Sequence, residues 1–101
     1  MILSVQQIKF EMLSYIKEFD ARFEAWYVGI ASDPKLRMQC DHGVDLDSDI
    51  WLYKQAASFP ACRAVQQYFV QTLNTQGVLV TNGDSNMDCI YLYRRSQGTS
   101  P

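Results

Sequence analysis

The stretch Tyr27-Val28-Gly29-Ile30-Ala31-Ser32-Asp33-Pro34-Lys35-Leu36-Arg37, with His42 just beyond it, holds side chains able to do chemistry together. A tyrosine hydroxyl relays or accepts a proton when its surroundings lower its pKa. A guanidinium such as that of Arg37 offers planar, paired donors that match a phosphate. His42 is the only histidine, so a multi-histidine metal site is excluded. Gly29 lets the backbone run close to a partner where a side chain would clash. Each residue also has a plainer role. Tyr27 on an apolar strand packs with its hydroxyl tied to a partner. Arg37 is a solvated helix residue, and His42 is a favourable charge at a helix C-terminus.

The other reactive residues narrow the field. Asp45, Asp47 and Asp49 open like a calcium loop, but Ile50 stands where the glycine belongs and Ala56 where the closing glutamate belongs. The segment therefore reads as a solvated acidic loop, whose charge repels nucleic acid. Cys40, Cys62 and Cys89 are odd in number and form no CxxC pair, so they read as reduced thiols. Cys40 beside His42 lacks an orienting third group, which argues against a nucleophilic pair. Tyr91 and Tyr93 share one strand face beside Arg94 and Arg95. Such a group stacks nucleic-acid bases or makes a protein interface, unless its rings are spent on packing.

These residues need elements to place them. Ser4 with Gln7 is a capping-box pattern, and Val5, Ile8, Met12, Leu13, Ile16 and Phe19 recur at helical spacing, predicting a helix over 4–19. Residues 25–31 are apolar and β-prone and read as a central strand covered on both faces. Asp33-Pro34 caps and opens a short helix that runs to about Asp41 and stops at Gly43. Residues 50–56 read as a second strand. Ser58 and Pro60 open a helix over 60–74, with Ala61, Val65, Phe69 and Leu73 on one face and Gly77 as its stop. Residues 78–80 suit a short strand, 89–94 the last strand, and 96–101 a frayed, disordered tail.

The fold class that follows is α/β (α+β): a small three- or four-stranded sheet packed by an N-terminal helix and two further helices. At 101 residues, one domain over 1–95 is expected. Hydrophobic residues at 48% suffice for a core without metal or disulfide staples. Neither a signal peptide nor a membrane-spanning apolar run is read, so a cytoplasmic protein without membrane contact is expected. A net charge of −2 lacks the basic excess of a free-standing nucleic-acid binder.

In Tyr27, Gly29 and Arg37 at their spacing, with His42 near the helix end, the chain resembles the second half of the GIY-YIG nuclease core. The resemblance continues through 50–56 and 60–73, covering residues 26–74. It implies a site of Tyr27, Arg37 and His42, with Arg37 on the phosphate and one magnesium or manganese ion held by a carboxylate. Three departures stand against it. The opening Gly-Ile-Tyr strand falls where Tyr15-Ile16 lies in a helical pattern. His42 follows Arg37 by five positions instead of four. The metal-binding glutamate is replaced by Gln66 or Gln67, and a hard cation strongly prefers a carboxylate.

The expectation is a catalytically degenerate, GIY-YIG-like binding module that needs no cofactor. Its partner would be a protein, with weak nucleic-acid contact at most, and Tyr91, Tyr93 and Arg94 as interaction residues. Two other readings are an active, metal-dependent DNA nuclease and an unrelated small α/β domain.

Overall fold

The computed structural model describes residues 1–19 and 22–101. The Ser4 hydroxyl accepts the Gln7 backbone N–H at 3.1 Å, and this cap starts helix α1, Val5–Phe19. Ile8, Met12 and Ile16 form its buried stripe, while Phe19 remains 44% exposed. Asp33 caps α2, Pro34–His42, by accepting the Leu36 N–H at 3.2 Å. Gly43, at φ +67°, ends it in the left-handed region that favours glycine. Ser58 caps α3, Phe59–Gln67, through the Ala61 N–H at 3.2 Å. A π-helical turn, Tyr68–Thr72, extends it, and Asn74 at φ +66° ends the run, in place of the stop expected at Gly77. Asparagine tolerates that conformation better than most residues.

Four strands form one mixed sheet: β1 Ile2–Leu3, β2 Trp26–Ala31, β3 Trp51–Ala56 and β4 Cys89–Arg94. Their order is β1-β3-β4-β2, with β1 parallel to β3 and the other two pairs antiparallel. Strand β1 escaped the sequence reading because two residues show no period. Strand β2 is covered on both faces as expected, but it lies at the sheet edge; β4 is an interior strand.

The edge of β2 stays dry because residues 76–80 run along it. Val28 donates to Gln76 O at 3.0 Å and Gln76 donates to Trp26 O at 2.8 Å. Residues 78–80, expected as a strand, instead have backbone groups bonded by a side chain, that of Gln66.

Alternation along the strands divides the core in two. Trp26, Val28, Ile30, Ile90 and Leu92 face α1 and α3, against Ile8, Met12, Ile16, Cys62, Val65 and Phe69. Tyr27, Ala31, Tyr91 and Tyr93 face the other way, against Met38 of α2 and Val44. Among the described residues, no helix is long and apolar enough to cross a membrane.

Candidate functional site

The β2–β4 register sets Tyr27 opposite Tyr93 and Gly29 opposite Tyr91. The Tyr27 and Tyr93 rings stack 5.3 Å apart at 11°. Tyr91 needs the space above Gly29: a Cβ there would lie 2.3 Å from its ring Cζ and its Oη. His42, the last residue of α2, completes the group, its ring 4.7 Å from Tyr27 and 5.2 Å from Tyr93. The result is a nest of three tyrosines and one histidine built over a glycine.

Hydrogen bonds fix the histidine. His42 Nδ1 lies 2.9 Å from Ser100 O and Nε2 lies 2.7 Å from the Tyr91 hydroxyl. A carbonyl only accepts, so Nδ1 donates to Ser100 O and Nε2 pairs with the Tyr91 hydroxyl. The segment 96–101, expected to fray, supplies this carbonyl. Ser100 N–H donates to His42 O at 2.7 Å and the Tyr93 hydroxyl to Ser100 O at 3.3 Å. The local signal was a turn: Thr99 Oγ1 accepts the Ser96 N–H at 2.8 Å in Ser-Gln-Gly-Thr.

The nest is closed. Tyr27 is 8% exposed, His42 4%, Tyr91 2% and Tyr93 0%. Tyr91 and Tyr93, expected as interaction residues, are therefore core residues that present no surface; Arg94 beside them is half-buried. Burial pushes both phenols above their ordinary value. For Tyr91 the neighbouring Tyr27 adds to this and Arg37 opposes it; for Tyr93, Tyr27 adds and Arg95 opposes. Proton acceptance by a phenol requires the opposite shift.

This has a measurable consequence. A phenol whose folded pKa is raised contributes stability fully present below the unfolded value of about 10 and lost as pH rises through the folded value. Of the six tyrosines, Tyr91 and Tyr93 should ionise only with alkaline unfolding. Ultraviolet titration should give an early exposed phase, then a late phase coincident with loss of circular dichroism. A single early phase would contradict the burial.

Arg37 stands apart from the nest. Five helical steps turn a side chain about 140°, so His42 points inward while Arg37 is half-exposed. Arg37 Nε pairs with Asp41 Oδ2 at 2.8 Å. It lines a cleft of ≈ 330 Å³ with Ala31, Asp33, Leu36, Asp41 and Met87. A phosphate entering there would meet the carboxylates of Asp33 and Asp41 beside the guanidinium.

Gln66 lies away from both. It is 1% exposed, and its amide joins α3 to the edge of β2. Nε2 donates to Val28 O at 3.2 Å and to Val78 O at 3.0 Å, while Oε1 accepts the Val80 N–H at 3.2 Å. Both ends of the amide are in use. Among the described residues no three His, Cys, Asp or Glu side chains converge in a group able to hold a metal. This donor set does not fit a hard divalent cation.

Cys40 is an exposed free thiol, and two carboxylates of the acidic loop brace the loop itself. Asp49 accepts the Asp45 N–H at 2.8 Å and Asp45 the Asp47 N–H at 3.0 Å, so these carboxylates fold their own loop. The Asp47 amide and the Ser48 hydroxyl hold the Asp45 carboxyl below its usual value. Burial pushes the Cys62 thiol up to about 12 and Cys89 up to about 11, which leaves both poor nucleophiles. Tyr15, where the resemblance placed an opening strand, sits in α1 and donates to Trp51 O at 2.9 Å.

Compared with family models, with curated proteins and with solved structures, the chain finds no match.

Proposed function

We propose that this chain is a GIY-YIG-like domain that no longer cleaves phosphodiesters and works by binding a protein partner. Gln66 carries the reading. The position where the resemblance calls for a metal-binding glutamate holds an amide whose donor and acceptor both bond backbone. The flanking observations agree with it. Tyr27 and His42 lie in a closed nest, and Arg37 is ion-paired with its helix neighbour Asp41. The net charge of −2 limits nucleic-acid contact to a weak, salt-sensitive one.

A supercoiled plasmid incubated with the protein and magnesium or manganese should remain supercoiled, as in buffer alone. Arg37→Ala should behave like wild type. Robust wild-type nicking abolished by Arg37→Ala would overturn the proposal in favour of a metal-dependent nuclease.

A further inference from the structure

Helix α2 packs over β2 and β4 on its face of the sheet, so the β3 side chains of that face, Trp51 and Tyr53, lie at the open flank. Tyr53 is 38% exposed, Trp51 is half-buried beside the tyrosine nest, and Ile2, paired with Gln55 at the other end of β3, is 59% exposed. The Trp51 and Tyr53 rings run parallel at 6.4 Å and 4°. Trp51 Nε1 donates to Leu46 O at 2.9 Å, which fixes the indole against the loop of Asp45, Asp47 and Asp49.

Two facts identify what this surface accepts. The exposed Lys35 already places Nζ 5.8 Å from the Trp51 ring centroid, so the indole face takes a cation within this chain. The neighbouring loop brings three aspartates without a basic residue among them. The lysine of β3, Lys54, points to the opposite face and is paired with Glu11 at 2.9 Å. A phosphate backbone approaching here would be repelled, whereas a guanidinium or ammonium gains both the ring faces and the carboxylates.

We propose that the Trp51–Tyr53 face, with the Asp45–Asp49 loop as its rim, docks an arginine- or lysine-bearing segment of a protein partner. The inference rests on the reading of the chain as a binding module and gives that module's partner its chemistry. Lys35 then acts as an internal occupant that the incoming cation displaces.

Fluorescence isolates the site, because Trp26 is fully buried and Trp51 alone reports on this face. The full chain is titrated with an arginine–glycine repeat peptide, a glutamate–glycine peptide of equal length, and oligo-dT. A saturable change with the arginine peptide alone is expected. Tyr53→Ala and Asp47→Asn should each weaken it, the former roughly tenfold. Lys35→Ala should tighten it several-fold, a result that a merely structural Lys35 would not give. Circular dichroism melts of the variants check that the fold is kept.

The proposal is overturned by any of three results: no saturable response, a response to oligo-dT in place of the arginine peptide, or an affinity unchanged in Tyr53→Ala. Sedimentation showing that the face is covered by a second copy of the chain would overturn it too. Plasmid nicking would sink the binding-module reading by itself. A silent titration beside an intact plasmid would sink only this surface.

Discussion

Gln66→Glu should destabilise the protein by about 3–5 kcal/mol at neutral pH. The amide donates to Val28 O and Val78 O and accepts from Val80 N–H, in a site where the residue is 1% exposed. A carboxylate keeps the acceptor and loses both donors. It would set a negative charge against two carbonyl oxygens with no cation there to offset it. A whole domain is stable by only about 5–15 kcal/mol, so much of the margin disappears.

The pH dependence has a definite sign. In the folded variant the introduced carboxyl prefers its protonated form, so its pKa rises above the unfolded value of about 4.3. The charge penalty is therefore fully expressed above the folded pKa and fades as pH falls towards about 4. Urea unfolding of both proteins at pH 7 and near pH 4 should show a large gap that narrows in acid. Equal midpoints at pH 7 would mean that Gln66 does not hold the β2 edge. Magnesium-dependent nicking gained only in this variant would instead mark position 66 as a decayed metal site.

The structure gives Gln66 a role that the sequence does not show, a cap on the edge of β2. Residue type marked Gln66 as unusual. It could not reveal that β2 is an edge strand whose free backbone groups need a cap, because edge and centre differ by strand order and not by composition. The continuous apolar run at 25–31 reads the same whether the second neighbour is a strand or the stretch 76–80.

The helices were legible for local reasons. Ser4, Asp33 and Ser58 each cap within three residues, and the stripe of Ile8, Met12 and Ile16 repeats at four. The aromatic content misled in the other direction. Tyr91 and Tyr93 lie next to Arg94 in sequence, yet strand alternation turns them inward while α2 closes over them. Trp51 and Tyr53, two steps apart on β3, have the same spacing and remain at the open flank. Which pair is covered depends on where a helix of nine residues comes to rest.

Gly29→Ala should destabilise by about 2–4 kcal/mol, combining overpacking with a lost buried hydrogen bond. The added methyl would stand 2.3 Å from Tyr91 Cζ and Oη, far inside contact distance. Tyr91 is directly opposite on β4 and fully enclosed, so its ring has no vacant rotamer to take. Moving it would also separate its hydroxyl from His42 Nε2, at 2.7 Å, leaving two buried polar atoms without their partner. Glycine here serves the ring across the strand pair and not an approaching phosphate. A double-mutant cycle separates these two roles. In a Tyr91→Leu background the ring is absent, and Gly29→Ala should then cost less than about 1 kcal/mol because the two sites are coupled. Chemical denaturation of the four proteins supplies the cycle. An equal cost in both backgrounds would show that Gly29 is required for some reason other than Tyr91, and the nest would lose its structural explanation.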